Sequence, residues 1–271
     1  MNSPGRAPDA RDDIPNAPES PPHVSLQRVG VTYGSRRVFD ALSCGFPRGR
    51  ISVILGGSGS GKSTILRLIG GLIRPRTGVV TVDGEDVTRL SERGLRTMRR
   101  KLGMLFQGGA LLDSYSVFDN LALPLREENR RSTSEIADAV HTTLASVGLD
   151  DDIDPLLPGQ LSGGMLRRVA LARAIMRRPI ILLCDEPFSG LDPASIKRIE
   201  SLLVEMNRQS AMTIILVSHH VPSTLRMANH VLLLLGERSF EGSPAQLRSS
   251  SDPEVADFLN EGAQEKIKKS W

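Results

Sequence analysis

The stretch Gly56-Gly57-Ser58-Gly59-Ser60-Gly61-Lys62-Ser63-Thr64 decides the fold of this chain. An apolar run at residues 51–55 precedes it, and a helical pattern at residues 65–69 follows it. Strand, glycine-rich loop and helix, in that order, make the setting of a phosphate-binding P-loop. The glycines let successive backbone N–H groups converge on one anion at the positive end of a helix. We therefore predict that this loop binds a nucleoside triphosphate.

Two side chains of the loop have distinct predicted roles. Lys62 supplies the only full positive charge of the loop, which suits the β- and γ-phosphates. Ser63 offers a hydroxyl to Mg²⁺. The remaining residues of the stretch, from Gly56 to Thr64, contribute backbone N–H groups around the phosphates. The cofactors predicted from this loop are a nucleoside triphosphate and Mg²⁺, and the family resemblance given below implies that the nucleotide is ATP.

The bulk composition is that of an ordinary globular protein. The chain has 271 residues, a net charge of +3 and 4% aromatic residues. So small a charge and so few stacking platforms do not favour nucleic acid as a partner. No apolar run approaches the 18 or so residues that span a bilayer, and the N-terminus lacks a secretory signal pattern. Two sparse cysteines, Cys44 and Cys184, are predicted to be buried apolar residues in a reducing compartment.

Strands and helices alternate along most of the chain, which indicates an α/β fold with a mostly parallel core sheet. Residues 24–29 and 38–46 alternate in polarity and predict antiparallel strands. Three regions are expected. They are a disordered tail at 1–22, a nucleotide-binding domain at 23–250 with a helical part at about 108–175, and a C-terminal helix and tail at 251–271.

Two predicted strands end in polar residues that suit phosphate chemistry. Asp185-Glu186 follows the apolar run 180–184, and Ser218-His219-His220 follows the run 213–217. Ligands collect at the carboxyl ends of parallel strands, so these side chains are expected near the P-loop. Asp185 can hold Mg²⁺ through its water shell, and Glu186 can orient and polarise the attacking water. The alternative for the two carboxylates is an ordinary pair at the start of a helix.

The segment Leu161-Ser162-Gly163-Gly164-Met165 opens another predicted helix. By itself it is consistent with a simple N-cap and a tight turn. Lying about 100 residues after a P-loop and 20 before Asp-Glu, it resembles the signature of ATP-binding cassette (ABC) proteins. The resemblance implies a P-loop NTPase of ABC type, in which an antiparallel β subdomain and a helical signature subdomain flank the core sheet. It covers about residues 24–245.

This resemblance implies further site residues and a homodimer. Two cassettes of this family close head to tail, so Ser162, Gly163, Gly164 and Met165 would complete the γ-phosphate site of a partner subunit. Asp192, in the run Ser189-Gly190-Leu191-Asp192, resembles the D-loop residue that links the two sites.

Three more positions match family residues around the nucleotide. Tyr33 resembles the aromatic residue that stacks on adenine, although alone it would be read as a turn residue. Gln107 resembles the loop glutamine that touches Mg²⁺ and senses the permease. His219 resembles the switch histidine at the γ-phosphate. His220, where the family usually has Asp, and Gly57, where many members have Pro, depart from the pattern.

A narrower resemblance concerns the Mla-type phospholipid transport ATPases, which are associated with MCE proteins. It rests on four segments of the chain, at residues 103–111, 116–127, 161–165 and 252–259. It implies ATP hydrolysis that drives phospholipid transport between the inner and outer membranes. The partners implied are integral membrane permease subunits and a periplasmic MCE-type lipid-binding subunit, and the location implied is the cytoplasmic face of the inner membrane.

Other functions stay open at this point. A cassette for a small solute or for lipoprotein export would share every motif above. A soluble cassette that acts on ribosomes or DNA is a second class, but its members carry two cassettes per chain or a long coiled coil. A P-loop kinase is disfavoured because it would not need the segment at residues 161–165.

Overall fold

The structure is a computed structural model that describes residues 21–219 and 221–259, and of Pro222 only the backbone. The predicted N-terminal tail lies almost entirely outside the described residues, as does the predicted C-terminal tail beyond residue 259. The strands are β1 Val24–Tyr33, β2 Arg36–Phe46, β3 Ile51–Gly56, β4 Thr77–Val82, β5 Glu85–Asp86, β6 Leu102–Leu105, β7 Ile181–Asp185, β8 Thr213–Val217, β9 His230–Leu235 and β10 Arg238–Gly242. The helices are α1 Lys62–Ile69, α2 Glu92–Arg99, α3 Val117–Arg126, α4 Thr133–Ser146, α5 Gly163–Ile175, α6 Pro193–Ser210, α7 Val221–Met227 and α8 Pro244–Arg248, and residues 253–259 are also helical.

The core sheet has six strands in the order β10-β9-β3-β8-β7-β6. Neighbouring strands are parallel from β9 to β6, and β10 pairs with β9 in the antiparallel sense. β3 and β8 are buried along their whole length, which explains their continuous runs of apolar residues. The prediction of a mostly parallel α/β core is confirmed.

A second, antiparallel sheet has the order β2-β1-β4-β5. It packs on one face of the core sheet together with α1 and α2, whose apolar side chains share its core, and α3 to α6 pack on the other face. Side chains alternate between faces along β3, so Ile54 joins the core shared with the antiparallel sheet while Val53 and Leu55 join the core shared with α3 to α6. Cys44 and Cys184 are buried free thiols in these cores, as predicted, and burial raises the pKa of both.

Helices α3, α4 and α5 pack against one another beside the core sheet. Helix α4 turns one apolar face to the core, because Ile136, Val140 and Leu144 recur at helical spacing and are all buried. A capping box fixes the start of α4: Ser132 accepts from the backbone N–H of Glu135, and Glu135 accepts in return from that of Ser132. The limits of the helical part at residues 108–175 remain a prediction.

One boundary differs from the sequence prediction. The run at residues 180–184 was expected to be fully buried, but Ile180 is 40% exposed and the strand begins at Ile181. The preceding helix ends at Ile175, before Pro179 is reached. Arg178 explains both differences, because its φ of 50° turns the chain out of the helix and leaves Ile180 on the connection.

Within the described residues, no helix is long and apolar enough to cross a membrane.

Candidate nucleotide-binding and hydrolysis site

The P-loop joins β3 to α1 and is pressed against the antiparallel sheet. Gly61 precedes α1 with a φ of 98°, and a Cβ at this position would lie 2.4 Å from Cζ of Phe39. Only glycine satisfies both the left-handed backbone and the contact with the phenyl ring. The shape of the loop is therefore set partly by a residue of β2, 22 positions earlier in the chain.

Lys62 extends along the loop with its ammonium group inside. The residue is 6% exposed, and Nζ donates to the carbonyl oxygens of Gly56 and Gly57 at 2.9 and 2.8 Å. Burial lowers the pKa of Lys62, and the nearby charges of Glu186 and Asp185 oppose that effect. The ammonium group of Lys62 bonds to carbonyl groups of the loop itself. It can therefore exchange them for the oxygens of a bound phosphate with little movement.

Ser63 and Asp185 meet beside Lys62, at the start of α1 and the end of β7. Oγ of Ser63 donates to Oδ1 of Asp185 at 2.9 Å. Both atoms are hard oxygen donors of the kind that Mg²⁺ prefers, so these two residues would suit the ion, Ser63 through its hydroxyl and Asp185 through the water shell of the ion. The described residues contain no group of three or more His, Cys, Asp or Glu that could hold a metal. An ion here would need oxygen ligands from a bound phosphate.

Glu186 has an unusual backbone and a buried carboxyl group. Its φ is 50°, in the left-handed region, and its N–H donates to the carbonyl oxygen of Val217 at 3.1 Å. The side chain is 12% exposed. Burial raises the pKa of Glu186, while a hydrogen bond from the backbone of His219 and the charge of Lys62 act in the opposite direction. These are the properties of a proton-accepting carboxyl group held at a functional site.

His219 lies directly opposite this carboxyl group. Its Nε2 is 3.0 Å from Oε1 of Glu186, a charge-pair distance without the alignment of a hydrogen bond, and its side chain is 54% exposed. The prediction that the tips of β7 and β8 bring Glu186 and His219 together agrees with this geometry. His220 lies outside the described residues.

These groups surround one open cavity of about 470 Å³, within the usual size range of small-ligand sites. Tyr33 and Gln107, predicted to contact adenine and Mg²⁺, both line it. Its full lining is Tyr33, Arg36, Val38, Ser58, Gly59, Gly61, Lys62, Ser63, Thr64, Gln107, Glu186, Ser189 and His219.

Some predicted site residues do not line the cavity. Gly56, Gly57, Ser60 and Asp185 belong to the loop or to the strand end beneath it. The segment from Ser162 to Met165 lies elsewhere, and Oγ of Ser162 accepts from the N–H of Met165 as the N-cap of α5. Asp192 caps α6 in the same way through Ala194 and Ser195. Within one chain, therefore, the structure does not bring Ser162–Met165 or Asp192 to the nucleotide cavity.

Arg36 was missed by the sequence reasoning. It begins β2, lies directly opposite Tyr33 across the hairpin, and donates from Nη2 to the carbonyl oxygen of Gly59 at 2.9 Å. A two-residue connection between Tyr33 and Arg36 was the available signal, because such a turn places the flanking residues side by side.

Arg167 was missed as well. It is 6% exposed on α5, and its guanidinium donates to the carbonyl oxygens of Gln107 at 2.6 Å and Ser189 at 3.2 Å. Burial lowers the pKa of this guanidinium. One cation thus connects two cavity-lining segments to the helix that Ser162 caps.

Comparisons with known proteins identify the family of this chain. The ABC transporter family model matches residues 39–189. The chain is 42% identical over 238 residues, 88% of either chain, to "Intermembrane phospholipid transport system ATP-binding protein MlaF" of Escherichia coli K12. It is 40% identical over 89% of its length, and 67% of the relative's, to "Probable ribonucleotide transport ATP-binding protein mkl" of Mycobacterium tuberculosis H37Rv. Among solved structures, a dimer of the ATP-binding cassette MJ0796 with ADP and Pi superposes with a TM-score of 0.75 at 30% identity, over 82% of this chain and 98% of that one.

Proposed function

The chain belongs to the ABC transporter family of ATP-hydrolysing cassettes, and we propose that it powers phospholipid transport between the inner and outer membranes of its cell. The observation that carries the chemistry is the single cavity in which Lys62, Glu186 and His219 meet the P-loop. The observation that favours phospholipid is the 42% identity to a phospholipid transport ATPase along 88% of both chains.

Hydrolysis at this site depends on placement and charge, since phosphoryl transfer needs little covalent help from a protein. Lys62 exchanges its carbonyl partners for the β- and γ-phosphates. Glu186 holds and polarises the attacking water and accepts its proton, which contributes on the order of 10²–10⁴-fold. His219, opposite Glu186, donates to the γ-phosphate, and Tyr33 stacks on adenine.

Ser63 and Asp185 are the residues that would hold Mg²⁺, with Gln107 reaching the same side of the cavity. When bound, the ion neutralises developing charge on the β- and γ-phosphates. The hydrogen bond between Ser63 and Asp185 keeps the two oxygens together beforehand. Neither side chain has to travel for the site to load.

A second copy of the chain completes the site in this proposal. Ser162 and Gly163 are exposed at the start of α5, where the backbone N–H groups of Gly163 and Gly164 and the positive end of the helix suit an anion, and Met165 follows them. Asp192, at the start of α6, lies on the neighbouring segment. Closing two chains head to tail brings these groups over the partner's γ-phosphate, which accounts for their distance from the cavity of their own chain.

The proposed assembly places the dimer at the cytoplasmic face of the inner membrane, bound to permease subunits. A periplasmic MCE-type lipid-binding subunit would receive or deliver the phospholipid. The exposed apolar side chains Phe106, Leu112 and Tyr115, which follow β6, offer the permease an apolar contact next to Gln107.

The test is transport by the assembled complex. The chain, purified with its permease, is placed in vesicles, and ATP-dependent transfer of a labelled phospholipid to an acceptor protein is measured beside transfer of a labelled ribonucleotide. We expect phospholipid transfer that needs ATP and stops in the Glu186→Gln complex. Transfer of ribonucleotide without transfer of phospholipid would contradict our proposal. The cargo would then match the name of the mycobacterial relative, a probable ribonucleotide transport protein.

A further inference from the structure

Arg36 lies at the rim of the nucleotide cavity. None of the sequence motifs described above gives a role to its positive charge. It lines the cavity together with Tyr33, its partner across the hairpin. The side chain is exposed, so the guanidinium can be reached by a ligand in the cavity. Its one hydrogen bond within the described part of the chain runs to the carbonyl oxygen of Gly59.

The guanidinium of Arg36 lies close to Gly59 of the phosphate-binding loop. Gly59 has a φ of 76°, and a Cβ built on it would lie 2.8 Å from Nη2 of Arg36. The loop residue is therefore glycine both for its backbone and for the approach of this cation. Of the five N–H donors of a guanidinium, one is used by the Gly59 carbonyl.

The charges around the cavity leave room for a second cation. Among its described lining residues, Lys62 and Arg36 carry basic side chains besides the imidazole of His219, and Glu186 is acidic. Lys62 bonds to the carbonyl groups of Gly56 and Gly57 at the end of β3, whereas Arg36 reaches from β2 to the carbonyl group of Gly59. A polyphosphate with three or four negative charges binds better between two cations than to one, and a guanidinium can donate two parallel hydrogen bonds to phosphate oxygens.

Arg37 supplies the contrast within the same strand. Successive side chains of a strand point to opposite faces, and Arg37 does not line the cavity. Its Nη1 is 3.5 Å from Oδ1 of Asp40 on the exposed surface. The two arginines share charge, strand and sequence neighbourhood, but only one of them faces the P-loop.

We propose that Arg36 is a second phosphate-binding cation of the nucleotide site, which holds the polyphosphate of ATP from β2. This inference rests on the nucleotide site of the proposed function and extends it to a residue of β2. The rival role is a brace, in which Arg36 only fixes the shape of the loop through the Gly59 carbonyl. A phosphate ligand makes the effect of Arg36 grow with the number of phosphates, whereas a brace affects every adenine nucleotide alike.

The experiment measures dissociation constants of ATP, ADP and AMP by displacement of a fluorescent ATP analogue from the wild type, Arg36→Gln, Arg36→Lys and Arg37→Gln. We expect Arg36→Gln to weaken ATP binding roughly 10- to 100-fold, as for loss of a charge-assisted hydrogen bond. AMP should change less than about twofold, Arg36→Lys should restore part of the loss, and Arg37→Gln should match the wild type for all three ligands.

Each other outcome has a defined meaning. Equal losses for ATP and AMP identify a brace and overturn the proposal, as does an Arg36→Gln protein that binds ATP like the wild type. Lys62→Ala is included to separate this inference from the nucleotide site itself. If Lys62→Ala also leaves ATP binding unchanged, the P-loop assignment fails; if it alone weakens ATP binding, only the role of Arg36 fails.

Discussion

Lys62 is the residue whose removal has the clearest expected effect. In Lys62→Ala the ammonium that now bonds to Gly56 and Gly57 is gone, and the β- and γ-phosphates lose their charged donor. We expect ATP affinity to fall at least about tenfold, and turnover to be abolished. Titration with Mg-ATP checks this, and wild-type affinity in the variant would contradict the P-loop assignment.

Glu186 connects activity to stability through its buried carboxyl group. Because burial raises its pKa, ionisation of Glu186 is less favourable in the folded chain than in the unfolded chain. The resulting loss of stability is absent below the unfolded pKa, develops as pH rises toward the folded pKa, and is constant above it. A neutral side chain of the same shape removes this cost.

We therefore expect Glu186→Gln to stall hydrolysis and to raise the melting temperature of the nucleotide-free protein at pH 7. The gain should shrink as the pH is lowered toward 4, where the wild-type carboxyl group becomes protonated. Calorimetry at several pH values measures it. A melting temperature at pH 7 that is lower than that of the wild type would show that the buried carboxylate stabilises the fold instead.

Helix α5 is the element that connects the nucleotide cavity of one chain to the segment offered to its partner. Arg167 on this helix donates hydrogen bonds to the carbonyl oxygens of Gln107 and Ser189, and Ser162 caps the start of the same helix. In Arg167→Lys a single ammonium cannot serve both segments. We expect turnover of the permease complex to fall about tenfold, with ATP affinity changed less than about twofold, because the P-loop is untouched.

The control for this prediction is Arg177→Lys. Arg177 also donates to a backbone carbonyl, that of Pro124, but contacts no cavity-lining residue. The Arg177→Lys complex should keep the ATP turnover and the ATP affinity of the wild type. An Arg167→Lys protein with unchanged turnover, or with turnover and ATP affinity reduced to the same extent, would remove the connecting role of α5.

The predictability of each feature follows from the range of the interactions that form it. The P-loop and the polar residues at the ends of β7 and β8 are marked by neighbouring residues in the sequence, and they were predicted. Arg36 reaches Gly59 across 23 positions, and Arg167 reaches Gln107 across 60. No local pattern marks such contacts, because they depend on how the two sheets and α5 pack. Likewise, the early end of α5 depends on the left-handed backbone of Arg178.

At the scale of the whole molecule, the proposed dimer requires that one chain hold two halves of different sites. Ser162→Arg should abolish hydrolysis in the complex while leaving ATP binding by the monomer near wild type. The reason is that Ser162 does not line the cavity of its own chain. Mixing Ser162→Arg with Lys62→Ala chains should restore a fraction of the activity. Each mixed dimer has one site with both defects and one with neither.

If each chain worked alone, Ser162→Arg would only disturb a helix cap, which costs about 1 kcal/mol and leaves the nucleotide untouched. In that case the Ser162→Arg variant, assayed with the permease, would keep ATPase activity near that of the wild type, and this result would contradict the composite site. Intact ATP affinity of the Ser162→Arg monomer is the control against misfolding.

The central claim is that ATP closes two chains of this protein around composite sites. The most direct measurement is the mass of the Glu186→Gln protein by analytical ultracentrifugation, with and without saturating Mg-ATP. We predict a monomer of 29.4 kDa without nucleotide and twice that mass with ATP. Adding Ser162→Arg to the same chain should abolish the doubling. A Glu186→Gln protein that binds ATP to saturation and stays monomeric, or one that doubles in mass despite Ser162→Arg, would contradict the account.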